Sequence, residues 1–362
     1  MKVFVMGIGL CGTFPASGGQ SYRELIARAA SQAYLDAGIT ADQLDGAVSV
    51  EEDFVSGYSI SDEYVPDQLG VVKKSVYTIC GDFLHGLGSA IMQLRTGQFK
   101  MVVLEGYSKA SNILTKDEML SFAYDPTFNR LGVSPHYLAG IEMQQLLADG
   151  KYTKEDVANV VVQMRKNALA NSNATYGTNL TTGDVLGARP VAEPLTENMI
   201  ARHADASVAI VLGTEEVVKS AKAPVCVSGV GWTSGNSIIE RRPHNISEGT
   251  KAAATMAFNE AKISHAKDCD ALYVSDLYAH RALMHMDALG LEKDQLERIN
   301  PDGGVLGMGD LFEANGGARI YDAVQQLRGH AGTRQINNAK KAMVHGWRGL
   351  PTDSCAVAVL EA

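Results

Sequence analysis

Short apolar runs alternate along this chain with longer segments whose apolar residues recur at helical spacing. Apolar runs bounded by glycine or polar residues are typical of buried strands, and the longer spacing predicts amphipathic helices between them. One helix is predicted over Tyr22–Ala37, where Gly38 ends the pattern, and another over residues 154–170, where Thr153 can cap the first turn. This alternation predicts a mostly parallel sheet with helices on both faces.

The second part of the chain repeats the order of the first. A strand ending in Gly7 and Gly9 opens the first part, and a strand ending in Gly229 and Gly231 opens the second. The match predicts an internal duplication. We expect an N-terminal half at 1–222, with a covering loop region at about 107–200, and a C-terminal half at 223–362.

Composition narrows the class of protein without identifying it. A chain of 362 residues with 46% hydrophobic and 20% charged residues can bury a large core. The net charge of −9 argues against nucleic-acid binding, which needs a basic face. The sequence contains no apolar run of membrane-spanning length, and its N-terminus has a strand pattern instead of a signal peptide. The five cysteines form no Cys-x-x-Cys pair, which favours the cytoplasm and predicts no metal in this chain.

One cysteine, Cys80, lies where a predicted strand meets a helix rich in small residues. The strand is predicted at 76–79 and the helix from Gly81 to Gly97. The first N–H groups of a helix favour a thiolate, which would make Cys80 a nucleophile; the alternative is a buried thiol at a tight helix contact. Asp310 follows a glycine-rich turn at the matching place in the second half. Because such turns hold ligands in α/β sheets, we expect Cys80 and Asp310 at one central site.

Several segments resemble the thiolase superfamily, and the likeness extends over nearly the whole chain. The stretch Ile79-Cys80-Gly81 resembles the nucleophile segment, and residues 299–309 resemble the Asn-x-x-Gly-Gly stretch. The ending Val344-His345-Gly-Trp-Arg-Gly349 is similar to the His-Asn-x-Gly-Gly loop of sterol-carrier-type and archaeal thiolases. The resemblance implies a duplicated α/β thiolase fold, two βαβαβαββ halves layered α-β-α-β-α. It also implies an acyltransferase acting on CoA thioesters, with coenzyme A as substrate or product.

Two positions depart from the family pattern. Thiolases of this type carry Gly-His-Pro where this chain has Gly309-Asp310-Leu311, and His-Asp-Cys-Phe where it has Ser275-Asp276-Leu277-Tyr278. Both departures remove a histidine used for acid–base chemistry.

Three residues are candidates to replace that chemistry. His345 lies in the loop where many thiolases keep a second acid–base cysteine; it is either the base or a structural histidine at a strand end. His136 lies in the region from which a similar acyltransferase branch, which makes diacetylphloroglucinol, draws its catalytic histidine; the alternative is a helix-start histidine facing solvent. Asp310 could orient a histidine, act as a base, or cap the helix behind it.

Four further residues are candidates for binding substrate or an oxyanion. The N–H groups of Gly346 and Gly349 could form an oxyanion hole, although a tight loop also needs glycine. Ser275 and Tyr278 lie where the family carries its missing histidine segment.

Three functions remain open on the sequence. The first is cleavage or formation of a C–C bond in a 3-oxoacyl-CoA through an acyl-Cys80 intermediate, with benzoylsuccinyl-CoA, giving benzoyl-CoA and succinyl-CoA, as one candidate substrate. The second is a CoA-ester retro-aldolase resembling steroid side-chain lyases, which Tyr278 and Asp310 favour. The third is a non-catalytic subunit of a heterocomplex. Five aromatic residues of the covering segments would suit an aryl substrate: Tyr58, Tyr64, Phe122, Tyr124 and Phe128.

The resemblance also implies partners. It implies at least a homodimer, built through the strand before Cys80 and its neighbour helix, and a small partner subunit with an OB fold and a zinc ribbon that helps to hold CoA. No nucleic-acid or membrane partner is expected.

Overall fold

A computed structural model describes residues 1–52, 61–112, 124–236, 238–351 and 353–362 of the chain. No helix in these ranges combines the length and the apolar character needed to cross a membrane. The strands of the described residues are β1 (Val3–Phe14), β2 (Gly46–Val50), β3 (Ser75–Ile79), β4 (Met101–Ser108), β5 (Pro190–Ala192), β6 (Leu195–Thr196), β7 (Asp205–Thr214), β8 (Val225–Thr233), β9 (Ala271–Tyr273), β10 (Lys341–Trp347) and β11 (Cys355–Glu361).

Helices separate most of these strands. The described helices are α1 (Tyr22–Ala37), α2 (Ser61–Tyr64), α3 (Pro66–Leu69), α4 (Phe83–Arg95), α5 (Pro126–Arg130), α6 (Pro135–Ala148), α7 (Lys154–Ala168), α8 (Thr182–Leu186), α9 (Glu248–Ala261), α10 (Ala279–Ala288), α11 (Gly304–Met308) and α12 (Asn315–Arg328).

Nine of the described strands form one sheet in the order β3-β2-β4-β7-β1-β8-β11-β10-β9. The prediction of a mostly parallel sheet is wrong, because five of the eight described pairings are antiparallel. The parallel pairs are β2 with β3, β2 with β4, and β9 with β10. The last strand of the first half, β7, lies between β1 and β4, and the last strand of the second half, β11, lies between β8 and β10. Each of them runs antiparallel to both neighbours. The alternation of strands and helices in the sequence does not reveal this antiparallel return.

The sheet shows the predicted duplication in its pairing order. Outward from β1, the neighbours are antiparallel β7, antiparallel β4 beside it, and then parallel β2 and β3. Outward from β8, the series is antiparallel β11, antiparallel β10 and parallel β9. A single parallel bridge between Leu272 and Ile299 stands where a fifth strand would follow. The division of the chain at 222/223 falls between β7 and β8 and stays a prediction.

The matching glycine pairs of β1 and β8 allow a helix to pack closely on each strand. A Cβ atom on Gly9 would lie 2.0 Å from the Ala29 carbonyl oxygen of α1, and one on Gly231 would lie 2.3 Å from the Ala253 carbonyl oxygen of α9. Such distances exclude any side chain, so each glycine is required by a close helix–strand approach. The repeated glycines therefore record the same packing in both halves.

A carboxyl group is buried in the middle of the sheet. Glu105 of β4 is fully buried and accepts a hydrogen bond from the Ser49 hydroxyl of β2 at 3.0 Å. Burial raises the pKa of Glu105 to about 8, against the lowering effect of the Ser49 and Ser207 hydroxyls. The folded protein therefore keeps this side chain neutral at pH 7, where the unfolded chain ionises it.

We predict that Glu105→Gln makes the free energy of unfolding less dependent on pH. Between pH 4.5 and 8 the unfolded chain releases the Glu105 proton and the folded chain keeps it, so wild-type stability falls as pH rises. The stability of the glutamine variant relative to wild type should therefore rise by about 1.4 kcal/mol per pH unit over this range. Urea unfolding at several pH values measures it, with exposed Glu215→Gln as the control. If the free energy of unfolding changes with pH equally in wild type and Glu105→Gln, the prediction is wrong.

Candidate active site

Cys80 lies on the exposed side of the junction between β3 and α4. The helix begins at Phe83 and not at Gly81 as predicted, because Gly81 has a φ of +145° and Asp82 caps the helix. The thiol is thus two residues before the N-cap, at the N-terminal end of the helix. Of the five described cysteines, Cys80 alone has an exposed side chain; Cys11, Cys269 and Cys355 are buried.

The buried Asp82 carboxylate joins the starts of α4 and α12. Its Oδ1 accepts from the Leu84 N–H at 3.0 Å, and its Oδ2 accepts from the Gly316 N–H at 3.1 Å. A Cβ atom on Gly316 would lie 2.3 Å from Asp82 Oδ1, and one on Gly346 of β10 would lie 2.1 Å from the same atom. The structure therefore brings the turn that carries Cys80 against the helix that follows the Asp310 turn, and Gly346 is needed for the close approach of a carboxylate.

Arg348 contacts Cys80 and was not among the residues predicted from the sequence. Its Nη2 lies 3.2 Å from Cys80 Sγ, and it forms an ion pair with Glu52. Burial opposes the charge of the guanidinium, but Glu52 and the Cys80 sulfur outweigh it and raise the pKa of Arg348, with a smaller effect of Glu313. Strand alternation could have indicated this contact, because Arg348 follows Gly346 by two positions and therefore projects to the same face of β10.

His345 projects to the opposite face of β10 and is fully buried. The Ser275 N–H donates to its Nδ1 at 3.2 Å, so the ring proton is on Nε2, which lies 3.0 Å from Thr250 Oγ1. Thr250 Oγ1 also lies 2.9 Å from Nδ1 of His285, whose ring centroid is 4.5 Å from that of His345. The structure thus brings Ser275 and His345 together, but no described contact joins His345 to Cys80.

Burial holds this histidine pair neutral. Desolvation, with a contribution from Arg319, moves the pKa of His345 well below 6.5. Desolvation and the neighbouring His345 have the same effect on the pKa of His285. The geometry favours the structural alternative for His345, and its role as a base stays a prediction.

His136 and Tyr278 form a second pair. His136 Nδ1 lies 3.1 Å from the Tyr278 hydroxyl, with the two rings edge to face. Tyr278 is buried directly before α10, and its ring centroid lies 6.3 Å from that of Trp347, the residue before Arg348. His136 therefore starts α6 with its ring turned towards a phenol that can share a proton with it.

Asp310 pairs with a histidine that the sequence did not single out. His203 Nδ1 lies 3.6 Å from Asp310 Oδ2, and the two residues form a parallel backbone bridge. Asp310 Oδ1 accepts from the Phe312 N–H at 3.0 Å and from the Asn315 amide at 2.6 Å. Asp310 thus holds the turn that leads into α12 and also lies near a histidine, and its part in the chemistry stays a prediction. The sequence did not indicate His203 as a functional residue, because it lies before β7 outside any recognisable motif.

The loop after Arg348 is held by buried charges. Arg281 of α10 forms ion pairs with Glu142 of α6 and, at 3.1 Å, with Asp353; it also stacks on Trp347. Arg242 lies 3.6 Å from Glu142 and donates to the Pro351 carbonyl. Burial opposes the ionisation of Glu142, but Arg281 outweighs it and lowers the pKa of this carboxyl to about 2. These ion pairs position the hairpin loop between β10 and β11.

The remaining predicted residues have less direct roles. Gly349 is buried with a φ of +109°, a conformation that favours glycine whether or not its N–H binds an oxyanion. Of the aromatic candidates, Tyr124 and Phe128 pack against the hydrophobic core beneath α6 and α7, and Tyr64 is exposed. Tyr58 and Phe122 lie outside the described residues. No three His, Cys, Asp or Glu side chains of the described ranges group as metal ligands.

Known proteins with similar sequences include acetyl-CoA acetyltransferases and a thiolase subunit. A family model for the thiolase C-terminal domain matches residues 298–362. The acetyl-CoA acetyltransferase of Methanothermobacter thermautotrophicus is 27% identical over 350 residues, which cover 90% of this chain and 91% of the relative. The benzoylsuccinyl-CoA thiolase subunit BbsB of Thauera aromatica is 28% identical over 222 residues, which cover 56% of this chain and 57% of the relative.

Solved structures show the same fold. The Ltp2–ChsH2(DUF35) aldolase superposes with a TM-score of 0.85 at 20% identity, covering all of this chain and 98% of the other. Human mitochondrial 3-ketoacyl-CoA thiolase in complex with CoA superposes with a TM-score of 0.80 at 17% identity, covering 100% and 98%. The chain is thus similar to the thiolase superfamily in its C-terminal part and, through its relatives, over most of its length, and the solved structures confirm the predicted duplicated α/β thiolase fold.

We predict that Gly346→Ala destabilises the junction of α4 and α12. The added Cβ atom would overlap Asp82 Oδ1, so the carboxylate must shift away from the Leu84 and Gly316 N–H groups. Overpacking of this kind lowers the free energy of unfolding by about 1–3 kcal/mol. Denaturant unfolding measures it against Gly183→Ala, whose Cβ atom would meet only Thr181 Oγ1 at 3.6 Å. Equal stabilities of the two variants would refute this packing account.

We also predict that the buried histidine pair makes the protein acid-sensitive. The unfolded chain protonates His285 as pH falls below about 6.5, whereas the folded chain resists it, so stability is lost in that range. His285→Phe should reduce this loss by about 1.4 kcal/mol per pH unit below 6.5, relative to wild type. Unfolding between pH 8 and pH 5 tests this, with exposed His265→Phe as the control. If the His285 variant keeps the wild-type pH slope, the histidine does not contribute as stated.

Proposed function

We propose that this chain is a thiolase-type acyltransferase that cleaves or forms a C–C bond in a 3-oxoacyl-CoA, with Cys80 as the nucleophile. The observation that carries the proposal is the exposed Cys80 thiol at the start of α4, 3.2 Å from a guanidinium nitrogen of Arg348. A helix N-terminus and a neighbouring cation both favour the thiolate form, which is the reactive one. The acyltransferase activity named for the archaeal relative supports the same reaction class.

In the cleavage direction, the thiolate attacks the 3-oxo carbon and the carbonyl electrons move to oxygen. Collapse of this alkoxide breaks the bond between C2 and C3, and the departing enolate of the shortened acyl-CoA takes up a proton. The acyl group stays on Cys80 as a thioester. Free CoA then gives up its thiol proton and attacks the thioester, which releases a new acyl-CoA and restores the Cys80 thiolate.

The proton transfers need a weak acid or base, and we propose the His136–Tyr278 pair for this role. Its two groups lie 3.1 Å apart, and Tyr278 packs towards the strand end that carries Arg348. The His203–Asp310 pair is the second candidate, because Asp310 replaces a family histidine. We assign His345 a lower place because it is fully buried and both of its ring nitrogens already have partners, the Ser275 N–H and the Thr250 hydroxyl. Gly346 and Gly349 remain candidates for the oxyanion, with Ser275 beside His345.

We also propose a particular substrate, partner proteins and a cellular location. Benzoylsuccinyl-CoA is a candidate substrate because a relative is named for it, and that name also describes a subunit. A solved neighbour likewise contains a second protein, of the DUF35 type, which supports a small OB-fold and zinc-ribbon partner here. A homodimer through β3 is supported by the position of that strand at the edge of the described sheet. We propose a cytoplasmic location, in keeping with five cysteines that form no disulfide among the described residues.

A second candidate function is a CoA-ester retro-aldolase. The Tyr278 hydroxyl in contact with His136 favours it, because such a pair could remove the proton of a 3-hydroxyl group. The C2–C3 bond would then break to a carbonyl product and an enolate that takes up a proton, without an acyl-enzyme. One of the solved neighbours is named as an aldolase. A third candidate is a non-catalytic subunit, which would form no acyl-enzyme and cleave no C–C bond.

Intact-mass spectrometry separates these functions. The protein, alone and with any co-purifying partner, is incubated with 3-oxoacyl-CoA esters, including benzoylsuccinyl-CoA, and with 3-hydroxyacyl-CoA esters. We expect an acyl adduct that is absent from Cys80→Ser and present in the control Cys226→Ser, whose cysteine is only half-buried on β8. Its mass identifies the acyl group that is retained.

Other outcomes of the same experiment have defined meanings. Cleavage of a 3-hydroxyacyl-CoA without an adduct, at equal rates in wild type and Cys80→Ser, would replace the acyltransferase proposal by the aldolase. Neither adduct nor turnover in any pairing would favour the non-catalytic subunit.

A further inference from the structure

We infer that Arg348 is a catalytic residue: its guanidinium holds Cys80 in the thiolate form, the role that the missing histidines leave open. The inference rests on the proposed function for its biological meaning, although the ionisation of Cys80 can be measured without any substrate. The observation behind it is the 3.2 Å contact between Arg348 Nη2 and Cys80 Sγ. Charge-assisted contacts of this kind are the usual way to stabilise a thiolate.

Both the backbone and the side chain of Arg348 are held in position. Its backbone N–H donates to the Ser354 carbonyl at 3.1 Å, which continues the pairing of β10 with β11 beyond Trp347. Its side chain forms an ion pair with Glu52, the residue that follows β2 by two positions. The guanidinium thus bridges the Cys80 turn and the end of β2, and its Nη2 contacts both Glu52 and the sulfur.

The charges around the pair decide how far the thiolate is favoured. Glu52 faces Arg348 directly, and Glu313, from the turn before α12, lies close enough to raise the pKa of its guanidinium. On α4, Asp82 caps the helix, and burial lowers the pKa of His85, which keeps that ring neutral near pH 7. Arg348 is therefore a positive group in direct contact with Cys80, and nearby carboxylates limit its effect.

An arginine can stabilise a thiolate but cannot accept its proton. The guanidinium remains protonated throughout the pH range of enzymes, so the Cys80 proton must leave to solvent or to another base. In this step the S–H bond breaks, both electrons stay on sulfur, and Arg348 is unchanged. The acid–base step and the stabilisation of the nucleophile are then assigned to different residues.

The pH dependence of Cys80 alkylation tests the inference. Iodoacetamide reacts with thiolates, so the rate of Cys80 modification, followed by peptide mass spectrometry, rises with the ionised fraction. Cys226 is the internal comparison, because burial raises the pKa of that half-buried thiol and Arg348 does not contact it. We expect the Cys80 midpoint to lie below that of Cys226 in the wild-type protein.

Two substitutions should move this midpoint in opposite directions. Arg348→Gln removes the cation and should raise the Cys80 midpoint by about one pH unit, which is about tenfold slower alkylation at pH 7. Glu52→Gln removes a competing carboxylate while keeping an oxygen that accepts from Arg348, so it should lower the midpoint. Arg348→Lys keeps the charge and should restore most of the wild-type midpoint. The Cys226 midpoint should stay constant in all three variants.

The opposite signs distinguish electrostatics from a structural effect. An unchanged Cys80 midpoint in Arg348→Gln, or a Glu52→Gln shift that is zero or upward, would overturn the inference. A Cys226 shift as large as that of Cys80 would also overturn it, because it would indicate a general loosening. These readouts contain no acyl-CoA, so their failure is distinct from the absence of an acyl adduct, which bears on the proposed function alone.

Discussion

The buried carboxylate of Asp82 is the contact on which the rest of the site depends. It accepts hydrogen bonds from the first turns of two helices, α4 and α12, that come from different halves of the chain. It also requires glycine at 316 and 346, because any side chain there would overlap it. Cys80, the Asp310 turn and the end of β10 all lie within a few residues of these groups. One side chain thus sets the relative positions of three segments that are far apart in sequence.

Strand β10 divides the histidines from the thiol. His345 and Trp347 project into a core that holds Thr250, His285 and Arg281, where rings stack and the histidines stay neutral. The alternate residues along the strand project to the opposite face, where Asp82 and Cys80 lie. The same strand therefore contributes stability on one face and chemistry on the other, and the hairpin loop that follows is fixed by buried ion pairs.

Local signals predicted the elements well and their pairing less well. The caps at Ser21 and Gly38 define α1 within its predicted bounds, and the paired glycines of β1 and β8 pointed to the duplication. The antiparallel return of the last strand in each half was missed, because register depends on distant partners. Cys80 was predicted from its place before a helix, and its role stays a prediction. Arg348 and His203 were not, since a single charged or titratable residue has no pattern of its own and its contact is set by tertiary structure.

The position of β1 has a consequence for synthesis of the protein. This strand lies inside the sheet, and its neighbours are β7 and β8. Its first residues pair with Thr214 and Val227, so nearly two-thirds of the chain must be made before the N-terminal strand has both partners. Contacts of such long sequence separation form slowly. Until β7 has been made, this apolar strand lacks both of its partners in the sheet, and we expect the nascent chain to depend on chaperones at this stage.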